Sequence, residues 1–293
     1  MNKRYYDFDA MDCDVNYRFL QPPQIAYFVT TVDDNGNENV TPVTLGTLVA
    51  AQGPRGEKPS EYYFTFAMGC QNLLDERNAV EARQGYHNLM KHKECVISYI
   101  GHDLMYESTI SGLPIPKGIS EIDVSGLTKL ESKKVVPCGI QECAINMEAK
   151  VISTTQLGTY YHLFVCQIVG ISVDEKMVQE DDGFGVYHID PLFEVHIGQD
   201  AGQTEQDNRL YYGRMDKAKI HRTDYGIGCI GDWVGTFEHW MDSEVKRGRI
   251  DELEREEIMD LNERWQHNRD PETNGDVKLA LTKKLKAICQ RNG

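Results

Sequence analysis

From Pro22 the chain reads PPQIAYFVTTVDDNGNENVTPVTLGT. Ile25, Tyr27 and Val29 alternate with Ala26, Phe28 and Thr30, so both phases are largely apolar, and a strand with both faces at least partly buried is expected. Asp33-Asp34-Asn35-Gly36 follows, and its Asn-Gly pair accepts the positive φ of a hairpin turn. The return arm carries Asn39, Thr41, Thr44 and Thr47 around Pro42, which cannot donate to a ladder and so marks an edge or the strand's end. Further strands are expected over Tyr62 to Ala67, Glu94 to Ile100, Cys143 to Ile152 and Tyr160 to Val173. Asn72 to Lys93 has helical character, with Leu73, Leu74, Val80, Leu89 and Met90 as its apolar positions and Gly85 as its expected break. Ala51 to Glu61 and Leu113 to Leu127 are Gly- and Pro-bearing, and read as a loop and as mostly loop respectively. With one helix among the strands, a parallel sheet of βαβ units is disfavoured, and a mainly antiparallel barrel or sandwich fits better.

The pattern changes after Ile230. Trp233, Phe237, Trp240, Met241 and Val245 fall at helical spacing, and Gly248 closes that helix. Asp251 with Glu254 makes a capping box ahead of Ile258, Leu261 and Trp265. Asn268 to Gly275 reads as a linker, and Val277, Leu281, Leu285 and Ile288 form the stripe of a last helix. The expected division is a β domain over residues 1–200 and a helical extension over 201–293, packed on the barrel or on a dimer partner. Residues 1–21 are polar and aromatic and read as an arm lying on the body.

Composition narrows the function classes. The chain has 293 residues, 40% of them hydrophobic and 26% charged, as in ordinary globular proteins. A formal net charge of −15 speaks against a nucleic-acid partner and against an anionic membrane surface. No apolar run approaches the roughly 18 residues that would span a bilayer. The N-terminus shows no signal-peptide pattern, so a cytoplasmic location with the eight cysteines reduced is expected.

Several chemical signals are weak. Gly226, Gly228 and Gly231 have the spacing of a dinucleotide fingerprint, but HRTDY before them is a poor buried strand. His87, His92 and Cys95 are close in sequence, but His87 and His92 do not share a helix face, there is no CxxC, and no metal site is expected. His162 is different, because it lies inside the longest strand, where a polar ring needs a partner or a ligand. Arg83 and Asn88 could offer a cation and an amide to a phosphate, or simply form a solvated helix face. On residue types alone, the Thr-rich hairpin suits either a polar planar ligand or a solvated edge.

Four stretches, in order, resemble the flavin reductase-like, FMN-binding split-barrel family. They are PQIAYFVTTVDDNGNENVTPVT, RQGYHNLMKHKECVIS, GISEIDVSGLTKLESKKVVPCGIQECAINMEAKV and YYHLFVCQIVGISV. The resemblance covers about Leu20 to Met177. It implies a six-stranded antiparallel split β-barrel with helical insertions, a homodimer, and FMN (rather than FAD) near the dimer interface. It also implies hydride transfer from NAD(P)H to the flavin. Carried over by position, Thr30 and Thr31 end the first strand near the flavin ring. Asn39, Val40, Thr41, Thr44 and Thr47 contact the ring and ribityl chain, Arg83 and Asn88 the phosphate, and His162 the nicotinamide. Where the family has Asp-Thr, this chain has Gln84-Gly85, and Tyr161 stands where Asp is common. The alternatives are a flavin carrier or electron-transfer protein, and a flavoenzyme with its own organic substrate.

Overall fold

The computed structural model describes residues 23–52, 59–70, 83–113, 115, 119–158, 161–180, 185–195, 211–213 and 237–290. The N-terminal arm, positions 72–82 of the expected helix, the 226–231 glycines and Trp233 lie outside them.

The chain opens with β1 (Gln24–Ile25), β2 (Tyr27–Val32), β3 (Glu38–Val43), β4 (Gly46–Gln52) and β5 (Glu61–Gly69). Helix α1 (Gln84–His92) leads into β6 (Glu94–Tyr99), followed by α2 (Met105–Ser111) and α3 (Glu121–Ser125). The short strands β7 (Lys129–Leu130) and β8 (Gly139–Ile140) precede the long pair β9 (Ile145–Leu157) and β10 (Tyr161–Val173). After α4 (Glu175–Gln179) come β11 (Phe193–Val195) and β12 (Tyr211–Gly213).

The main sheet is antiparallel, with strand order β3-β2-β6-β9-β10-β5-β4. The expected barrel has six strands, whereas this sheet has seven. The difference is local. The return arm after the first turn breaks at Thr44–Leu45, so its first part pairs with β2 and its second with β5. The chain joins the two end strands directly through this break, where Ala67 N–H of β5 donates to the Leu45 carbonyl at 2.8 Å. The sheet therefore curls on itself, and Pro42 does stand on an end strand.

The first turn forms as its residues dictate. The Asp33 carboxylate accepts from the N–H groups of Asn35 and Asn37 at 2.8 and 2.9 Å, and Gly36 takes φ +80°. All six residues of β2 are buried. On one face Tyr27 and Val29 join Phe64, Phe66, Leu89, Ile97, Met147, Phe164 and Cys166. On the other, Ala26 and Phe28 join Val40, Ile100, Leu104, Ile122, Ile140 and Leu192. Two apolar layers account for a strand without polar alternation.

The described helix begins at Gln84, with Gly85 in its first turn, and positions 72–82 before it lie outside the described residues. Two expectations need correction. Leu113 to Leu127 is not all loop, because Ser120 caps α3 by accepting from Asp123 N–H. More than one helix also interrupts the strands, since α2, α3 and α4 are short helices with few periodic apolar positions.

Residues 237–290 belong to a second compact unit. It contains α5 (Phe237–Lys246), α6 (Glu252–His267) and α7 (Pro271–Gln290). Asp251 caps α6 by accepting from Glu254 N–H at 2.8 Å. Met241, Ile258, Leu261, Val277, Leu281 and Ile288 form its core. The Asn268–Gly275 linker is shorter than expected, because α7 starts at Pro271 and kinks at Asn274.

Candidate functional site

The first turn of α1 gathers most of the polar groups singled out above. Arg83 precedes the helix as its N-cap, and its side chain makes no cap hydrogen bond. Arg83 itself is exposed, with no ion pair among the described residues. Such an uncapped terminus beside a free guanidinium is favourable for an anion.

The hairpin meets this turn closely. Register pairs Thr31 with Asn39 and Val29 with Thr41, so the side chains of Thr31, Asn39 and Thr41 share one sheet face. Asn88 donates to the Thr31 hydroxyl at 3.1 Å and accepts from Gln84 Nε2 at 2.7 Å. Thr41 donates to Asn39 Oδ1 at 3.2 Å, and Asn39 Nδ2 donates to Glu121 at 2.6 Å. Gly85 packs directly on this pair. A Cβ there would lie 2.8 Å from both Asn39 Oδ1 and Thr41 Oγ1. Burial pushes the Glu121 carboxyl above the ordinary carboxylate range, and the Asn39 amide opposes that shift.

Not every candidate faces this turn. Thr30 and Val40 pair with each other on the opposite face. Thr30 donates to the Cys138 carbonyl, and Val40 is buried among Phe28 and Ile100. Thr44, half-buried, lies at the break between β3 and β4, and Thr47 is exposed on β4.

His162 approaches from the other side of α1. It stands beside Met68 of β5, whose sulfur would lie 3.7 Å from a Cβ at Gly85. Tyr86 packs edge-to-face on His162, with ring centroids 5.0 Å apart and the hydroxyl 3.4 Å from Nε2. Nδ1 of His162 is buried and has no hydrogen-bond partner among the described residues. Burial, with the nearby Cys70 adding to it, raises the Tyr86 phenol above its usual range.

Gln84, Tyr86 and Glu121 therefore border the site although residue type did not single them out. A glutamate directly after an N-cap serine usually faces solvent near the helix dipole, and nothing in the local sequence shows that Glu121 turns to Asn39 instead.

A cavity of about 450 Å³ opens elsewhere, at the C-terminal end of β10. Asp103, Glu142, Asp174 and Glu180 line it with Lys176 and His188, a carboxylate-rich wall unsuited to phosphate. It lies most of the length of β10 away from His162.

Comparison with known proteins agrees with this architecture. The protein is 25% identical over 209 residues to the uncharacterized protein YdfE of Bacillus subtilis, covering 62% of this chain and 90% of that one. Its fold is similar to that of nitrilotriacetate monooxygenase component B from Bacillus cereus. That match has a TM-score of 0.58 and 19% identity, and covers 74% of this chain and 98% of the other. A split-barrel-domain protein from Shewanella frigidimarina gives a TM-score of 0.54 at 17% identity, covering 76% and 100%. The fold is thus a split barrel. The sequence profile described as "Flavin reductase like domain" matches residues 21–192, and the chain belongs to that family.

Proposed function

We propose that this protein binds FMN and reduces it with NAD(P)H, acting as a homodimer. The observation that carries the reading is the convergence on one helix turn. Free N–H groups, Arg83, the Asn39–Thr41 pair and His162 all border the start of α1.

The residues present fit such a cofactor. Arg83 and the uncapped N–H groups suit a phosphate dianion, and they compensate for the hydroxyl that Gly85 lacks. Asn39, Thr41, Thr31 and Asn88 offer amides and hydroxyls nearby, while Thr44 at the strand break and Thr47 on β4 are candidates for the ribityl chain. The side chains of Thr30 and Val40 fix the strand pair from behind. His162, with its unpaired Nδ1, suits the carbonyl of a planar ring. Bound FMN supplies reversible electron acceptance, and the protein's part is to hold and orient the two rings and keep water out. His162 orients the nicotinamide in this reading. Leu48, Val49 and Tyr62, exposed on β4 and β5, suit the face of a second copy.

Titration with FMN followed by anaerobic NADH or NADPH tests the proposal. A perturbed flavin spectrum near one FMN per chain, bleached by one nicotinamide, is expected, with weaker binding of FAD. No binding at micromolar flavin overturns it. Tight FMN that neither nicotinamide reduces identifies a carrier instead. Light scattering tests the dimer, and a monomer that holds FMN tightly contradicts the assigned interface.

A further inference from the structure

Two facts about His162 stand apart from its place in the sheet. Its Nε2 faces the Tyr86 hydroxyl at 3.4 Å, and its Nδ1 is buried with nothing to bond among the described residues. An imidazole carries its neutral-state proton on one nitrogen, and the partner of the other nitrogen decides which. Among the described residues the Tyr86 hydroxyl has no other hydrogen-bond partner, and burial keeps its proton in place. Donation from the phenol O–H to Nε2 is the direction that leaves the Tyr86 donor paired. No carboxylate contacts the ring among the described residues.

We propose that Tyr86 is a positioning residue that fixes the His162 proton on Nδ1, so that a buried N–H is held ready for a carbonyl acceptor on a planar ring. This rests on the flavin-site reading above, and it adds a named group and a direction of donation. The flavin dione and the nicotinamide carboxamide share this acceptor chemistry. Tyr86 follows Gly85, the residue in contact with Asn39 and Thr41, so the same helix turn sets both the hairpin and the histidine.

Long-range ¹H–¹⁵N correlation on the full-length labelled chain reads the tautomer directly, with His162 assigned by loss of its signals in His162→Gln. The wild type without ligand should show a protonated Nδ1 and a bare Nε2. Tyr86→Phe should move the population toward the Nε2–H form that a neutral imidazole prefers in water. A wild type already in the Nε2–H form overturns the proposal, as does a Tyr86→Phe spectrum identical to wild type. FMN is then added, followed by oxidised NADP⁺ on the FMN-loaded protein. The ring that shifts the Nδ1 signal is the acceptor, and Tyr86→Phe should weaken its binding about three- to tenfold. Tight binding of both with no Nδ1 shift removes the acceptor role. If FMN does not bind at all, the flavin reading fails, while the ligand-free wild-type tautomer still decides the Tyr86–His162 pairing.

Discussion

Gly85→Ala is the sharpest single test of how α1 meets the hairpin. Alanine favours a helix over glycine by about 1 kcal/mol, so an open site would gain stability. At Gly85 the new methyl would sit 2.8 Å from Asn39 Oδ1 and 2.8 Å from Thr41 Oγ1, distances real Cβ atoms essentially never show. Neither oxygen can retreat cheaply. Asn39 and Thr41 are 5% exposed, bonded to each other, and Asn39 is also tied to Glu121. Overpacking of this kind costs about 1–3 kcal/mol, and the strained Asn39–Thr41 bond adds about 1 kcal/mol. Net of helix propensity, a loss of roughly 1–3 kcal/mol follows, or several degrees in melting temperature. Gly275→Ala is the control, since nothing lies within 4 Å of its Cβ position, and it should be neutral or stabilising. Urea unfolding followed by far-UV circular dichroism measures both, and FMN titration on the same preparations reads the site. A Gly85→Ala protein as stable as wild type refutes the packing argument. A destabilised protein with unchanged FMN affinity would separate the Asn39–Thr41 pair from the cofactor.

Three further outcomes are expected. Asn88→Ala leaves the Thr31 hydroxyl and the Gln84 amide without their partner and should cost about 2 kcal/mol, read from the urea midpoint. Because the folded state raises the Glu121 pKa above its ordinary 4.5, the native protein holds that proton more tightly than the unfolded chain. This contribution is complete below pH 4.5 and declines as pH rises through the folded value; Glu121→Gln should remove that decline from a stability–pH series, and an identical slope in wild type and variant counts against it. Cys95, Cys138, Cys143 and Cys166 are buried, and burial pushes the Cys138 thiol up to about 12, so an aromatic disulfide reagent at pH 8 should label these four only on unfolding.

The strands were legible because their side chains meet apolar layers. The double-phase run Ile25 to Thr30 and the long Tyr160 to Val173 stretch needed no partner to be recognised, since β2 is covered on both faces and β10 lies between β5 and β9. The three-helix extension followed from Asp251, Gly248 and the Val277 stripe for a similar reason, because caps and stripes are local. The break at Thr44–Leu45 was not legible, because strand partners exchanged across it are set by residues far along the chain. The helix in the Pro- and Gly-rich segment was hidden because five residues carry too little periodicity. At the site, the four-part resemblance pointed to the hairpin and the helix start, and the structure does bring Thr31, Asn39, Thr41, Asn88 and His162 to α1. What local sequence withheld was pairing at distance, as in Asn39 with Glu121 and Tyr86 with His162.

The break between β3 and β4 also bears on solubility. An open sheet has two edges, each a template for pairing with another chain. Here the two end strands are consecutive in sequence, yet they are guarded unequally. The β3 edge carries Pro42, which has no N–H to donate, and α2 and α3 pack against it. The β4 edge has no proline and exposes Leu48 and Val49. Of these two edges β4 is therefore the more open to unwanted strand addition, and whatever covers that strand suppresses aggregation as well as completing a surface.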